Sequence, residues 1–525
     1  MPDLAPILDR ARQSMLTRLS LAAVAGGLSV LVLPPFSLIL FLPLAYATLL
    51  LCLFGLPARA AFLVGWSFGL AQFGFGISWI AESFYVDAEQ FGALAIPAVA
   101  GLSAFLAIFT GLATAVFGRL SRRHAVSGVR AALLFATCWT GAEWLRGHIL
   151  TGFPWNLAGY AFVDHAALRQ PAAWVGSYGL SFLAVFAGAL PGAALAAPAR
   201  ARRSSIAVFA ALTMSIYGLG AARLASPAPK EPGLDLRLVQ GNIPQREKWA
   251  PGRRERSLER YLDLSARPGG FDVLLWPESA FPGFLDEDDD ARARISGVLA
   301  EGTVLLTGVP DRVATGDSVL YFNTVQAFDS SGNILTGYAK HHLVPFGEYV
   351  PYAEWLPIKR LTEGLGDFTP GPGPRTLALP GIPLFSVAIC YEIIFPGGVV
   401  DPLFRPDWIF NATNDAWFGT SIGPEQHLAS ARMRAVEEAL PVIRAANTGI
   451  SAVIDARGEI ISRLDTGVTG IIDVRLPGAG ETTPYARFGD WMLAAMVAGA
   501  WAFLLLAGRL RRVFTRTGRA RQQGA

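Results

Sequence analysis

Two hydrophobic patterns divide this chain. Nearly unbroken apolar stretches fill positions 21–33, 37–56, 61–80, 92–117, 131–145, 172–197, 206–222 and 491–507. Between the seventh and the eighth, over 226–488, short apolar runs alternate with polar turns. A helix needs about 20 residues to cross a bilayer core, so the stretches predict eight membrane helices, the first and fifth being the shortest. The middle segment predicts strands at 236–239, 273–276, 303–307, 325–328, 385–389, 408–410, 451–454 and 471–474, and a helix at 426–440. Strands interleaved with helical pattern imply an α/β sandwich, and a segment of this size can bury its own core. The expected organisation is a membrane domain with seven helices over 1–225, an extramembrane domain over 226–488, and an eighth helix with a basic tail over 489–525. No internal repeat is visible.

Composition agrees with that division. Of 525 residues, 52% are hydrophobic and 16% charged, and the mean hydropathy is +0.39. Soluble proteins carry about 25% charged residues, so much of this chain belongs in lipid.

The arginines orient it. Arg10, Arg12 and Arg18 precede the first stretch, Arg59 follows the second, and Arg119, Arg122, Arg123 and Arg130 follow the fourth. Arg200, Arg202 and Arg203 follow the sixth, and Arg509, Arg511, Arg512, Arg516, Arg519 and Arg521 the eighth. Basic loops mark the cytoplasmic side, whereas the alternate loops hold Pro34-Pro35 and the acidic stretch from Glu82 to Glu89. Both termini are therefore expected in the cytoplasm and 226–488 on the opposite face. The first stretch also fits a cleaved signal, but Pro34-Pro35 leads straight into another apolar run, which favours an uncleaved anchor. The net charge of +3 reflects these loop arginines beside anionic lipid, so no nucleic-acid partner is expected.

Candidate chemistry gathers in the middle segment. Cys52 and Cys138 lie within apolar stretches and supply no disulfide framework, which leaves Cys390. The run Phe385-Ser-Val-Ala-Ile-Cys390 reads as a buried strand delivering a thiol to its carboxyl end, where α/β sites form. Phe271-Asp-Val-Leu-Leu-Trp-Pro-Glu278 delivers a carboxylate in the same way, and Gly337-Tyr-Ala-Lys340 an ammonium. A thiol is mostly protonated at neutral pH, so it needs a base, Glu278, and a cation to stabilise charge, Lys340. The acidic run Asp286-Glu-Asp-Asp-Asp290 lacks the spaced ligands of a calcium loop and reads as a solvated lead into a helix at Ala291. His341 and His342 are adjacent and cannot share a metal as an i, i+4 pair does. Neither metal nor cofactor is expected.

Trp276-Pro-Glu-Ser279, Lys340-His-His-Leu-Val-Pro-Phe-Gly-Glu-Tyr-Val-Pro351, Cys390-Tyr-Glu392 and Asn414-Asp-Ala-Trp-Phe-Gly419 resemble the Glu-Lys-Cys signature of the nitrilase superfamily. In their detailed wording they resemble its membrane-bound branch, the apolipoprotein N-acyltransferases. The resemblance implies a multi-pass helical membrane domain joined to a nitrilase-like αββα sandwich, with Glu278, Lys340 and Cys390 catalytic and Glu348 and Glu392 supporting. Asn323, Tyr391, Trp249 and Trp417 are candidates to line a lipid entrance, with core packing the alternative for each. Thr151-Gly-Phe-Pro-Trp-Asn-Leu-Ala-Gly-Tyr160 reads as an aromatic belt at the membrane interface, and resembles the segment that borders the family's acyl-donor cleft.

The implied activity moves a fatty acyl chain from a phospholipid, through a thioester on Cys390, to the α-amino group of an S-diacylglyceryl-cysteine at a lipoprotein's N-terminus. The implied partners are the phospholipid, the lipoprotein and the bilayer of a bacterial inner membrane, with the catalytic domain in the periplasm. One alternative is a membrane-tethered amidase using the same trio with water as acceptor. Another is a transporter, which calls for ionisable residues within the spans, where Glu143 is almost the only candidate. For the topology, a reporter fused after Arg312 is expected to be active only in the periplasm, and fusions after Arg203 or Arg512 only in the cytoplasm. Cytoplasmic activity at Arg312 overturns the orientation.

Overall fold

The computed structural model describes residues 14–248, 252–316, 318–351 and 367–522. They form two compact units. The first comprises Met1–Ser78, Val99–Arg223 and Arg487–Ala525. Its helices are α1 (Met15–Val30), α2 (Phe41–Leu53), α3 (Ala58–Gly76), α4 (Ala95–His124), α5 (Val129–His148), α6 (Ala172–Leu195), α7 (Ala199–Leu224) and a C-terminal helix, Trp491–Gln522. Among the described residues, three stretches, Ala88–His124, Ala172–Leu195 and Ala199–Leu224, are long and apolar enough to cross a membrane by length and composition.

Helices in lipid pack through small residues and interhelical hydrogen bonds, because apolar contact gains little there. Thr110 and Thr114 on α4 donate to the Gly65 and Ala61 carbonyls of α3 at 2.9 and 2.8 Å. A methyl at Gly26 of α1 would come within 2.0 Å of the Phe68 carbonyl oxygen on α3, so this crossing depends on glycine. The segment from Thr151 to Tyr160, expected to form an interfacial belt, is instead largely buried, with Trp155 2% exposed. Arg146, near the end of α5, donates to the Trp155 carbonyl at 2.9 Å, and Glu143, one turn earlier, accepts from the Ala158 N–H at 3.1 Å. The aromatic pattern suited either environment; the two polar side chains one turn apart on α5 hold the loop inward through its main chain.

The second unit comprises Leu224–Ala486 and Trp79–Ala98, the latter including the acidic stretch from Glu82 to Glu89. Its strands are β1 (Asp235–Gln240), β2 (Val273–Leu275), β3 (Val304–Thr315), β4 (Ser318–Asp329), β5 (Ile334–Ala339), β6 (Thr376–Leu379), β7 (Ile382–Ile389), β8 (Trp408–Thr413), β9 (Val442–Ala446), β10 (Ser451–Ile454), β11 (Ile460–Leu464) and β12 (Gly470–Arg475). They form two six-stranded sheets, ordered β12-β1-β2-β3-β4-β5 and β11-β10-β9-β8-β7-β6. Each sheet has a parallel centre, β1-β2-β3 in one and β7-β8-β9 in the other, flanked by antiparallel strands.

Alternation along the strands makes the layers. Leu236, Leu238, Val273 and Leu275 join Val387, Ile389, Phe410 and Ile443 in the core between the sheets. Leu274, Trp276 and Leu305 point the other way, under Leu258 and Tyr261 of α8 (Arg254–Ser265) and Ile295 of α9 (Asp289–Ser296). On the second sheet α10 (Gly423–Glu438) packs over β9. The result is a helix-sheet-sheet-helix sandwich.

All eight strands expected from the sequence are present, and four more appear. β5, β6 and β11 lie at or beside sheet edges, where mixed exposure hides the apolar signal, and β9 carries a buried arginine, Arg444. The helix expected over 426–440 runs Gly423–Glu438, and the one expected at Ala291 begins at Asp289, capped by Asp288 accepting from the Ala291 N–H.

Gly308 on β3 is where the fold meets the site. Its N–H donates to the Pro277 carbonyl and its own carbonyl accepts from the Ala280 N–H, so the loop holding Glu278 runs against β3. A Cβ at Gly308 would lie 2.5 Å from the Glu278 Cα. Gly308→Ala is therefore expected to lose about 1–3 kcal/mol in thermal unfolding, as overpacked cores do, and to alter the reactivity of Cys390. An unchanged melting temperature would show that this loop is not held by β3.

Candidate active site

Three strand ends carry the candidate residues. Glu278 follows β2, Lys340 immediately follows β5, and Cys390 immediately follows β7. Cys390 turns out of its strand with φ at +49°, a left-handed conformation that non-glycine residues adopt at a cost of order 1–3 kcal/mol. The turn continues as a short 3₁₀ helix, Cys390–Ile394.

Lys340 is 1% exposed. Its ammonium lies 2.8 Å from Glu348 Oε2 and 3.6 Å from Glu278 Oε1. Burial alone would favour the neutral amine, but Glu348 and then Glu278 outweigh it and hold the pKa above the ordinary lysine value. Asn323 on β4 joins the two acids, its Nδ2 donating to Glu278 Oε1 at 2.7 Å and to Glu348 Oε1 at 2.8 Å. The remaining oxygen of Glu348 also accepts from the Val344 N–H at 2.7 Å.

The Cys390 thiol feels both charges. Burial pushes its pKa up to about 12, Glu278 adds to the rise, and Lys340 opposes it. At rest the sulfur is therefore a protonated thiol within the field of the Glu278 carboxylate.

Glu392 fastens the loop that follows Lys340 to the strand that precedes Cys390. Its Oε1 accepts from the His341 N–H at 2.7 Å, the His342 N–H at 3.2 Å and the Tyr338 hydroxyl at 3.0 Å. Its Oε2 accepts from the Ile389 N–H at 2.7 Å. Burial raises its pKa, but His341 and these donors bring the net shift below the ordinary value.

Of the candidate entrance residues, Asn323 belongs to the centre itself. Tyr391 is half-buried and stacks edge-on to Phe395 and His342, at 5.2 and 5.7 Å between ring centroids. Trp417 lies outside the hydrogen-bonded set; its carbonyl accepts from Ser83 Oγ at 3.1 Å. Trp249 falls outside the described residues.

Two groups escaped the sequence reading. Lys248 ends the short helix Gln245–Lys248 and donates to the Glu278 main-chain carbonyl at 3.0 Å. Beneath Cys390, His427 Nε2 lies 3.1 Å from the Cys390 carbonyl oxygen and its Nδ1 2.8 Å from Asp415 Oδ1. Arg444 pairs with Asp415 at 2.6 Å, and Arg444 and His427 together outweigh burial to hold the Asp415 pKa at about 2. Asp415 sits within the Asn414-Asp-Ala-Trp-Phe-Gly419 motif, a signal that could have pointed to this cluster. Among the described residues, no group of three or more His, Cys, Asp or Glu is placed to hold a metal ion.

Because Lys340 is so fully enclosed, removing Glu348 strands a buried charge. Glu348→Gln is expected to destabilise the fold by on the order of 3–5 kcal/mol in denaturant unfolding, and Glu348→Asp by less. Equal stability of the two variants and the parent would show that Lys340 does not depend on this partner.

Comparison with known proteins adds to this geometry. Residues 25–190 match the Apolipoprotein N-acyltransferase N-terminal domain, and residues 236–484 match the Carbon-nitrogen hydrolase family. A protein of Bradyrhizobium diazoefficiens named apolipoprotein N-acyltransferase is 43% identical, over 94% of this chain and 95% of the relative. One of the same name from Rhodopseudomonas palustris is 40% identical over the same shares. Among solved structures, a mutant of the Nesterenkonia AN1 amidase of the nitrilase superfamily is 20% identical, covering 51% of this chain and 98% of that one, with a TM-score of 0.35.

Proposed function

This chain belongs to the apolipoprotein N-acyltransferase family, and we propose that Cys390 carries the acyl group between a phospholipid donor and the N-terminal amine of a diacylglyceryl-modified lipoprotein. The observation that carries this reading is the buried cluster in which one ammonium, Lys340, faces two carboxylates beside a protonated thiol.

In the first half-reaction Glu278 accepts the proton of Cys390 as the sulfur attacks the ester carbonyl carbon. Negative charge moves to the carbonyl oxygen, where Lys340 and main-chain N–H groups stabilise it. The carbon–oxygen bond then breaks, the proton held on Glu278 passes to the leaving alkoxide, and a lysophospholipid departs from the thioester. In the second half the lipoprotein amine attacks, Glu278 takes its proton, the carbon–sulfur bond breaks, and the proton returns to sulfur. No cofactor enters this scheme.

The same trio could pass the acyl group to water, which is the amidase alternative. High identity over nearly the whole length to proteins named apolipoprotein N-acyltransferase favours transfer. The distribution of loop arginines supports a catalytic unit in the periplasm and both termini in the cytoplasm. Glu348 and Glu392 support the trio by holding Lys340 and the loop after it. Asn323 supports both acids, and Tyr391, Trp249 and Trp417 stay candidates for the lipid approach, with core packing the alternative for each.

Mass spectrometry of the intact enzyme after incubation with phospholipid tests the proposal. One acyl group is expected on the Cys390 peptide, discharged by a diacylglyceryl-cysteinyl peptide. Cys390→Ser and Glu278→Gln should accumulate none, the first lacking an accessible anion and the second a base. Lys340→Met should form it slowly, with a barrier raised by about 3–4 kcal/mol, as for other lost oxyanion donors. Acyl-enzyme formed at the native rate by the Glu278 and Lys340 variants would remove those residues from the mechanism.

A further inference from the structure

A buried ammonium is costly unless charge opposes it, and this centre holds a second one. Lys248 is 2% exposed. It comes from the carboxyl end of β1, and Glu278 from the carboxyl end of β2, the neighbouring parallel strand. The loop that carries it is anchored to the second sheet. Asn447 Nδ2 donates to the Ile243 carbonyl at 2.7 Å, and Asn414 Nδ2 to Gln245 Oε1 at 2.8 Å. Lys248 therefore reaches the centre on a braced support, and its Nζ donates to the Glu278 carbonyl at 3.0 Å. A neutral donor would suffice for that single bond. Glu278 and Cys390 are also the two groups whose negative charge, where present, opposes the effect of burial on this ammonium.

We propose that Lys248 is a positioning residue of the acyl-transfer centre: it fixes the main chain of Glu278 and, while protonated, lends a second positive charge that favours the Cys390 thiolate. This rests on the reading of Cys390 as acyl carrier and Glu278 as its base. Burial lowers the Lys248 pKa to about 8, with Glu278 and Cys390 opposing the fall. Lys248 is thus charged below about pH 8 and neutral above it, whereas Lys340, held by two carboxylates, stays charged across this range. The charged and titratable groups gathered at the centre are Glu278 after β2, Lys340 and Glu348 after β5, Cys390 and Glu392 after β7 and Asp415 after β8, with His427 of α10 and Arg444 of β9 beneath Cys390. On its own helix, Arg246 donates to the Tyr85 and Val86 carbonyls and Glu247 pairs with Arg253, so neither turns toward the thiol.

The sign follows from that titration. Below its pKa Lys248 assists loss of the thiol proton; above it the assistance disappears. The test is the rate of Cys390 alkylation by iodoacetamide in the full-length detergent-solubilised protein, from about pH 6 to about pH 10, read on the Cys390 peptide by mass spectrometry. Lys248→Met is expected to react roughly tenfold more slowly than the parent below about pH 7 and to approach it above about pH 9. Lys248→Arg, charged throughout, should match the parent at low pH and exceed it at high pH.

A ratio of Lys248→Met to parent that does not vary with pH assigns the residue a merely structural part and overturns the proposal, as does an unslowed Lys248→Met. If the methionine variant fails to fold, the arginine variant decides, and a constant ratio to the parent is then the overturning result. Glu278→Gln serves as the control: native alkylation there refutes the underlying catalytic reading, whatever Lys248 does.

Discussion

The catalytic unit depends on keeping one ammonium charged inside a protein core. An isolated lysine buried as deeply as Lys340 would lose its proton, and with it any power to stabilise an oxyanion. Glu348 at 2.8 Å and Glu278 at 3.6 Å prevent that. The division of labour follows from the distances. Glu348 is the close partner and is further tied by Asn323 and the Val344 N–H, so its charge is committed to Lys340. Glu278 stands farther off, held by Asn323 and through its own carbonyl by Lys248, and it is the acid that the proposed mechanism uses to exchange a proton with the thiol.

The same logic of fixed partners extends to the backbone. Cys390 adopts a strained conformation, and strain persists only where surrounding bonds over-determine it. Here Glu392 holds the Ile389 N–H on one side and His427 meets the Cys390 carbonyl on the other. His427 in turn rests on the Asp415–Arg444 pair, which reaches Cys390 from the outer end of the second sheet's parallel centre. Strand β9 carries an arginine through its middle for this purpose, and so its pattern does not read as a strand.

Much of this was legible in the sequence, and the gaps have physical causes. Glu278 and Cys390 end apolar runs of strand length, so pattern and chemistry coincided there. Lys340 follows β5, an edge strand of mixed exposure, and was found through the residues around it rather than through its strand. Gly308 could not be found from its strand pattern, because its role is a close approach between main chains. Lys248 lies in the polar stretch Gln245-Arg-Glu-Lys248, where a lysine reads as solvated; only its burial against the Glu278 carbonyl shows that it turns inward. The segment from Thr151 to Tyr160 misled for the converse reason, since aromatic residues suit an interface and a core equally, and the deciding groups, Glu143 and Arg146, lie on the preceding helix.

Under the proposed mechanism, the raised thiol pKa bears on the choice between transfer and hydrolysis. A sulfur that resists ionisation at rest is also a reluctant leaving group once acylated, because the thiolate it must become is the disfavoured species. The thioester is therefore stabilised against casual attack until something lowers the cost of the departing anion. Lys340 already offsets part of that cost, and water, a weak nucleophile, gains too little from it to discharge the thioester quickly. An amine that binds close enough to pass its proton to Glu278 supplies stronger attack and returns the acid needed to quench the thiolate. The burial that makes Cys390 hard to activate thus also delays discharge until a good nucleophile arrives. For an enzyme that holds an acyl group between two lipid substrates, that delay separates a transferase from a hydrolase with the same three residues.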